Sequence, residues 1–98
     1  MARLFAVTLT RGTAWNNALA MEEQVDWKAH AAFMNALQAE GFVPIGGPLE
    51  GTREVLLIIR ANDAEEVGAR LSEDPWHRKG LLRITQMIPW TLRLGSLG

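Results

Sequence analysis

Glu54 to Arg60 reads EVLLIIR, an almost unbroken run of leucine and β-branched residues between charged ends. A strand wetted on one face alternates polar and apolar side chains, so a continuous apolar run requires cover on both faces. Leu4 to Thr10, LFAVTLT, makes the same demand, with Leu4, Ala6 and Thr8 on one side and Phe5, Val7 and Leu9 on the other. A chain of 98 residues buries only roughly 60–68% of its unfolded surface. It therefore has little material with which to cover a sheet twice.

The segments around these strands predict what covers one side. Arg11 to Asn17, RGTAWNN, reads as a loop leaving the first strand and placed to roof a pocket. From Leu19 or Glu22 to Glu40 the chain predicts a helix, with Glu22 and Glu23 in its first turn and Gly41 at C′. Phe42 to Leu49 predicts a second strand. Pro44 confines it to an edge or bulge, and Gly46-Gly47 lets backbone come close to another group. Glu50 to Arg53 is the hairpin turn into the apolar strand. Asp63 and Glu66 have the spacing of a capping box, and Ala64, Val67, Gly68 and Leu71 form the apolar stripe of a second helix. Pro75 stops that helix near Asp74, and Asp74 to Gly80 follows as a turn or short 3₁₀ segment. Leu82 to Trp90 predicts the last strand, with Leu82, Ile84, Gln86, Ile88 and Trp90 on one side, and Leu94 to Gly98 reads as a loose tail.

With no second-domain boundary, residues 1–98 read as one α+β domain in the order β-α-β-β-α-β. This is the ferredoxin-like arrangement of four antiparallel strands. Two helices cover one face of such a sheet. The other face then calls for a second sheet, most simply that of an identical subunit in a two-fold homodimer, and such dimers could assemble further.

Composition narrows the functional classes. The formal charge is −1, which supplies no basic field for nucleic acid. No stretch approaches the ~20 apolar residues of a membrane span, and the run from Met1 to Val7 is too short for a signal peptide's apolar region. The absence of cysteine excludes disulfides and thiolate chemistry, so the expected compartment is the cytoplasm. His30 and His77 are separated by 46 residues and make no metal motif. Gly46-Gly47 runs into a hairpin rather than a helix, so no phosphate loop and no nucleotide cofactor is implied. Ser72 and Ser96 are the only serines, which leaves no support for a serine triad.

The residue best suited to chemistry is His30. It falls on the stripe His30, Phe33, Met34, Leu37 of the first helix, with Trp27 one turn earlier, so it faces inward with apolar neighbours. An imidazole there is either a general acid/base or a core-edge histidine satisfied by a backbone carbonyl. Asp26, four residues before it, could orient it or simply favour the helix dipole. Asp74 read locally is an Asx-type turn residue. Trp76 reads as packing or interface, and His77, Arg78 and Lys79 as a solvated basic turn. Arg11 or Arg53 could hold a substrate carboxylate, with Trp15 and Trp27 as apolar walls.

The helix histidine within WKAHAAFMNALQAEG, the strand end VPIGGPL, the strand and helix EVLLIIRANDAEEVGARL, the DPW turn and the closing strand near Pro89-Trp90 occur in an order that resembles the YCII-related family. These are the YciI-like proteins of the dimeric α+β barrel superfamily. The resemblance implies a proposed active-site pair made of a helix histidine and the aspartate of the Asp-Pro turn, here His30 and Asp74. It also implies a cleft between sheet and helices, as in muconolactone isomerases and related small enzymes. The chain differs from a typical member in its tryptophan-bearing loop, Arg11 to Met21, and in its four tryptophans. The expectation is a small cofactor-independent enzyme. It would use His30 and Asp74 on a carbonyl- or carboxylate-bearing molecule, by isomerase, lyase or dehalogenase chemistry. Trp15, Trp27, Gly46, Gly47, Pro48 and Arg11 would line the substrate site. The rival expectation is a non-catalytic dimer that holds a small ligand.

Overall fold

Phe5, Val7 and Leu9 alternate with Leu4, Ala6 and Thr8 along β1 (Arg3–Arg11), and the first set is buried while the second is half-buried. The computed structural model describes residues 2–97. Met1 and Gly98, the last residue of the expected tail, lie outside the described residues. β1 is central in the sheet. It pairs antiparallel with β3 (Glu54–Ala61) on one side and β4 (Leu82–Trp90) on the other, and β2 (Ile45–Pro48) adds an edge next to β3. The strand order β2-β3-β1-β4, with helices α1 (Trp27–Ala39) and α2 (Ala64–Leu71) between strands, is the ferredoxin-like β-α-β-β-α-β arrangement. A single helical turn, α3 (Pro75–Arg78), precedes β4.

The core lies between the helices and one sheet face. Phe5, Val7 and Leu9 from β1 and Leu57, Ile59 and Ala61 from β3 pack with Leu37 of α1, Val67 and Leu71 of α2 and Trp76 of α3. On the other face the register aligns Ala6, Ile58, Ile45 and Ile88 across the sheet, with Leu4 opposite Trp90. Ile45, Ile88 and Trp90 are 52%, 47% and 41% exposed. The helices leave this face uncovered, although its apolar residues call for cover there too.

Five expectations are corrected. The first helix does not run from residue 19 or 22. Met21–Glu23 form a 3₁₀ turn, and Asp26 has φ +60, a left-handed conformation that breaks the helix before α1 begins at Trp27. The physical cause is Gln24, whose buried amide accepts from the Asn16 N–H and donates to the Asn16 and Leu19 carbonyls. It is thereby stitched to the preceding loop instead of continuing the helix. The second strand is shorter than Phe42 to Leu49. The N–H groups of Phe42 and Val43 both donate to the Leu37 carbonyl, closing the helix end, and although the Arg60 N–H of β3 donates to the Phe42 carbonyl, the ladder with β3 is confined to Ile45–Pro48. The second helix stops at Leu71, three residues before Asp74, and Pro75–Arg78 is a turn of α-helix rather than 3₁₀.

The last correction concerns β4. Thr8 faces Gln86 while Leu9 faces Ile84, so Thr85 is an extra residue in a β-bulge. The alternation of β4 therefore changes sides there. Leu82 and Ile84 join the row of Arg11 and Leu9 on the helix side, whereas Gln86, Ile88 and Trp90 join Thr8, Ala6 and Leu4 on the open side.

Candidate functional site

The site is built where the start of α1 meets α3. Pro75 occupies the first helical position of α3, where its missing N–H leaves nothing unsatisfied and its fixed φ suits the helix. Asp74 is the N-cap, and its Oδ1 accepts the Trp76 N–H at 3.0 Å. Cap geometry alone thus fixes the carboxylate. It is 3% exposed. His30 comes from the first turn of α1, and its Nδ1 lies 2.9 Å and 2.8 Å from the two Asp74 oxygens. An ionised carboxylate only accepts, so this contact takes the hydrogen on Nδ1 and leaves the lone pair of the neutral ring on Nε2. Among the described residues Nε2 has no hydrogen-bond partner, and no buried side-chain nitrogen or oxygen lacks one, so Nε2 keeps an accessible surface.

Trp76 forms the platform of the pair. It is 1% exposed, its ring stacks on the imidazole at 3.8 Å with an interplanar angle of 7°, and its Nε1–H donates to the Val25 carbonyl at 2.6 Å. Trp15 meets it edge-on at 5.2 Å, and Trp27 lies 5.8 Å away. The imidazole is therefore held at one nitrogen and across one face. Asp26, a candidate orienter of His30, points elsewhere: its carboxylate pairs with Lys79, just after α3. That exposed pair adds a tether between the elements that carry His30 and Asp74, although such pairs stabilise little.

Over His30 opens a cavity of about 300 Å³. Its walls are Trp15, Trp27 and Trp76, with Met21, Ala31, Met34 and Asn35 on the helix side. Leu9, Val55, Leu57 and Leu82 come from the sheet, and Gly46, Gly47 and Pro48 form the edge provided by β2. Arg11 closes one end with its guanidinium 4.3 Å from the Trp15 ring centre. A side chain at Gly46 would collide with Leu57, since an added Cβ would stand 2.5 Å from Leu57 Cδ2. Glycine there lets the edge strand lie close against β3 beside the cavity. Ligand sites of this kind are concave, mostly apolar and carry few polar groups.

Of the residues expected at the site, His30, Trp15, Trp27, Gly46, Gly47, Pro48 and Arg11 line this cavity, and Asp74 lies beneath His30. Arg53, the alternative to Arg11, does not line it. Its guanidinium donates to Asn17 Oδ1 and to the Arg11 carbonyl. Sequence reasoning missed Trp76 as a site residue. The signal was present in Asp-Pro-Trp, because an Asp N-cap with proline at N1 fixes the tryptophan backbone within reach of the carboxylate. It also missed Gln24, which pins the loop carrying Trp15.

No curated protein matches the chain. Among solved structures it is similar to 5-chloro-2-hydroxyhydroquinone dehydrochlorinase (TftG) from Burkholderia phenoliruptrix AC1100, determined in complex with 2,5-dihydroxybenzoquinone. The two share 23% identity over 94% of this chain and 95% of that one, with a TM-score of 0.62. At this identity the likeness concerns the fold. The family model for the YCII-related domain matches residues 8–91. That match runs from the end of the first strand through both helices and the Asp-Pro-Trp turn to the last strand, and the chain belongs to the YCII-related domain family.

Proposed function

We propose that this chain is a small cofactor-independent enzyme in which His30 transfers a proton on a small carbonyl- or carboxylate-bearing molecule bound in the aromatic cavity. The observation that carries this reading is the imidazole held at Nδ1 by buried Asp74 while Nε2 stays accessible beside an apolar cavity. In such an arrangement Nε2 takes a proton from a carbon next to a carbonyl, and the electron pair moves into a new π bond. The released group is either a leaving anion such as chloride, in an elimination, or nothing, when the proton is returned at another carbon in an isomerisation. Asp74 fixes the tautomer and compensates the charge gained by the ring. The likeness to a dehydrochlorinase supports elimination as the first reaction to test.

The test is turnover by the purified chain of a panel of chlorinated hydroquinones, lactones and halogenated acids, followed by chloride release or absorbance. Turnover that depends on His30 supports the reading. Ligand-induced thermal stabilisation without turnover of any panel member would sink it in favour of a ligand-binding dimer.

We further propose that the open sheet face, with Ile45, Ile88 and Trp90 exposed, packs against the same face of a second copy. Sedimentation at micromolar concentration is expected to give a dimer, and Ile88→Glu a monomer. A wild-type monomer under these conditions contradicts the proposal.

A further inference from the structure

Beyond Arg11 the aromatic cavity adjoins a second cleft, of about 600 Å³, whose side chains have a different character. Arg11, Arg53, Arg83 and His77 line it, and Gly12 and Gly80 contribute backbone. No acidic side chain lines it, although the chain as a whole carries a formal charge of −1. Among the described residues, none of the three guanidinium groups is paired with a carboxylate. Glu54 stands nearest in register, because Thr10 pairs with Glu54 on one side and Arg83 on the other, but it makes no ion pair with any of the three. Arg83 leaves β4 on the face of Thr10 and Glu54 while Arg11 leaves β1 on the opposite face, so these cationic residues border the end of the sheet from both sides, and with no carboxylate among the lining residues an anion there would be favoured.

The geometry also gives the donors definite availability. Arg11 lays its guanidinium over the Trp15 ring, and neither its side chain nor that of Arg83 makes a hydrogen bond among the described residues. Arg53, which also lines the cleft, is braced by Asn17 and the Arg11 carbonyl. Two backbones approach closely where Gly12 and Gly80 line the cleft. The Gly12 N–H donates to the Leu81 carbonyl at 2.8 Å, and a Cβ on Gly12 would fall 2.2 Å from the Gly80 oxygen. Arg11 and Leu82 line both the cavity and the cleft, so the two spaces share a wall. The cleft lies at the Thr10–Arg11 end of the sheet. The exposed apolar patch around Ala6, Ile88 and Trp90 lies toward the other end.

We propose that this cleft binds the anionic substituent, a carboxylate or a phosphate, of a ligand whose ring occupies the aromatic cavity, with Arg11 and Arg83 as the principal donors. Guanidinium forks match both anions, and an anchored anion would fix the ring relative to His30 Nε2. The inference rests on the reading of the aromatic cavity as a ligand site, and names the class of ligand that site takes.

The experiment measures binding, by calorimetry or NMR titration, of phenol, benzoate, phenyl phosphate and inorganic phosphate to the full chain. Benzoate or phenyl phosphate is expected to bind about tenfold or more tightly than phenol at low salt. That advantage should shrink as salt rises and be lost in Arg83→Gln, with partial recovery in Arg83→Lys. Which of the two anions gains more separates a carboxylate from a phosphate ligand. Equal binding of phenol and its anionic counterparts, an advantage that survives Arg83→Gln, binding of inorganic phosphate alone, or no binding at all would each overturn the proposal. Because His30 does not line the cleft, His30→Gln is expected to keep the anion advantage. Failure of the catalytic reading therefore leaves this result standing, and loss of the anion advantage leaves turnover of neutral substrates untouched.

Discussion

Trp76→Ala is expected to be the most destabilising single change in the chain, lowering the unfolding free energy by about 3–5 kcal/mol. Trp76 is the largest of the fully buried side chains, and it touches Trp15 edge-on, Trp27 at a tilt and His30 face to face. Truncation leaves a void that its aromatic neighbours, Trp15 from the loop after β1 and Trp27 and His30 from α1, cannot fill. It also strips the Val25 carbonyl of its donor. With a total stability of about 5–15 kcal/mol for a domain of ordinary size, such a loss brings the chain close to unfolding. Urea or thermal denaturation reads it directly, at about 4–8 °C of Tm per kcal/mol for a chain this small. Trp76→Phe keeps a stacking ring and loses the indole donor, and should cost markedly less. Equal losses for the two variants would show that the Val25 hydrogen bond, not the packing, carries the effect.

The second large effect concerns rate. His30→Gln is expected to lower kcat on any confirmed substrate by about 10²–10⁴, the usual contribution of a positioned acid/base. Asp74→Asn separates the two roles of that aspartate. The asparagine oxygen can still accept the Trp76 N–H, so the cap and most of the stability should persist. Its amide, however, donates toward Nδ1 and favours the tautomer with hydrogen on Nε2, which removes the accepting lone pair from the cavity side. Turnover should fall with KM little changed, and the ring nitrogens should show the tautomer change in ¹⁵N spectra. Combining the two variants should lower kcat little beyond the more damaging single change, since both disable one device. Asp74→Ala differs in kind. It leaves a buried imidazole nitrogen and the Trp76 N–H unpartnered, at about 1–3 kcal/mol for a buried group left without its bond, so stability falls along with rate. If Asp74→Asn matched wild type in kcat, the aspartate would be a cap and no more.

Much of the architecture was legible because it follows from local rules. The EVLLIIR run, the apolar β1, the Gly41 stop at φ +83 and the Asp63 cap each follow from one stretch of chain, and together they specify the sheet and its two helices. The helix stripe also oriented His30 correctly. What local pattern did not contain was Asp74. Its fixed carboxylate, its cap and its burial come from the α3 turn. That it meets a residue 44 positions earlier depends on how α1 and α3 pack. The resemblance to the YCII-related family, not periodicity, joined the two. The errors at Gln24 and Thr85 share one origin. Each is a place where a contact outside the helix or strand period, an amide reaching back to the preceding loop or a strand to its bulged neighbour, overrides the pattern of the local sequence.

The bulge at Thr85 has an evolutionary consequence. It divides β4 into two segments that answer to different neighbours: Leu82 and Ile84 serve the interior, whereas Ile88 and Trp90 belong to the outward surface. An uninterrupted strand would impose one parity from end to end, so deleting a single residue would exchange inward and outward positions on one side of the deletion. With the extra residue in place, substitutions that retune the binding chamber and substitutions that alter the outer surface fall on separate stretches of one strand. Each set can drift under its own selection.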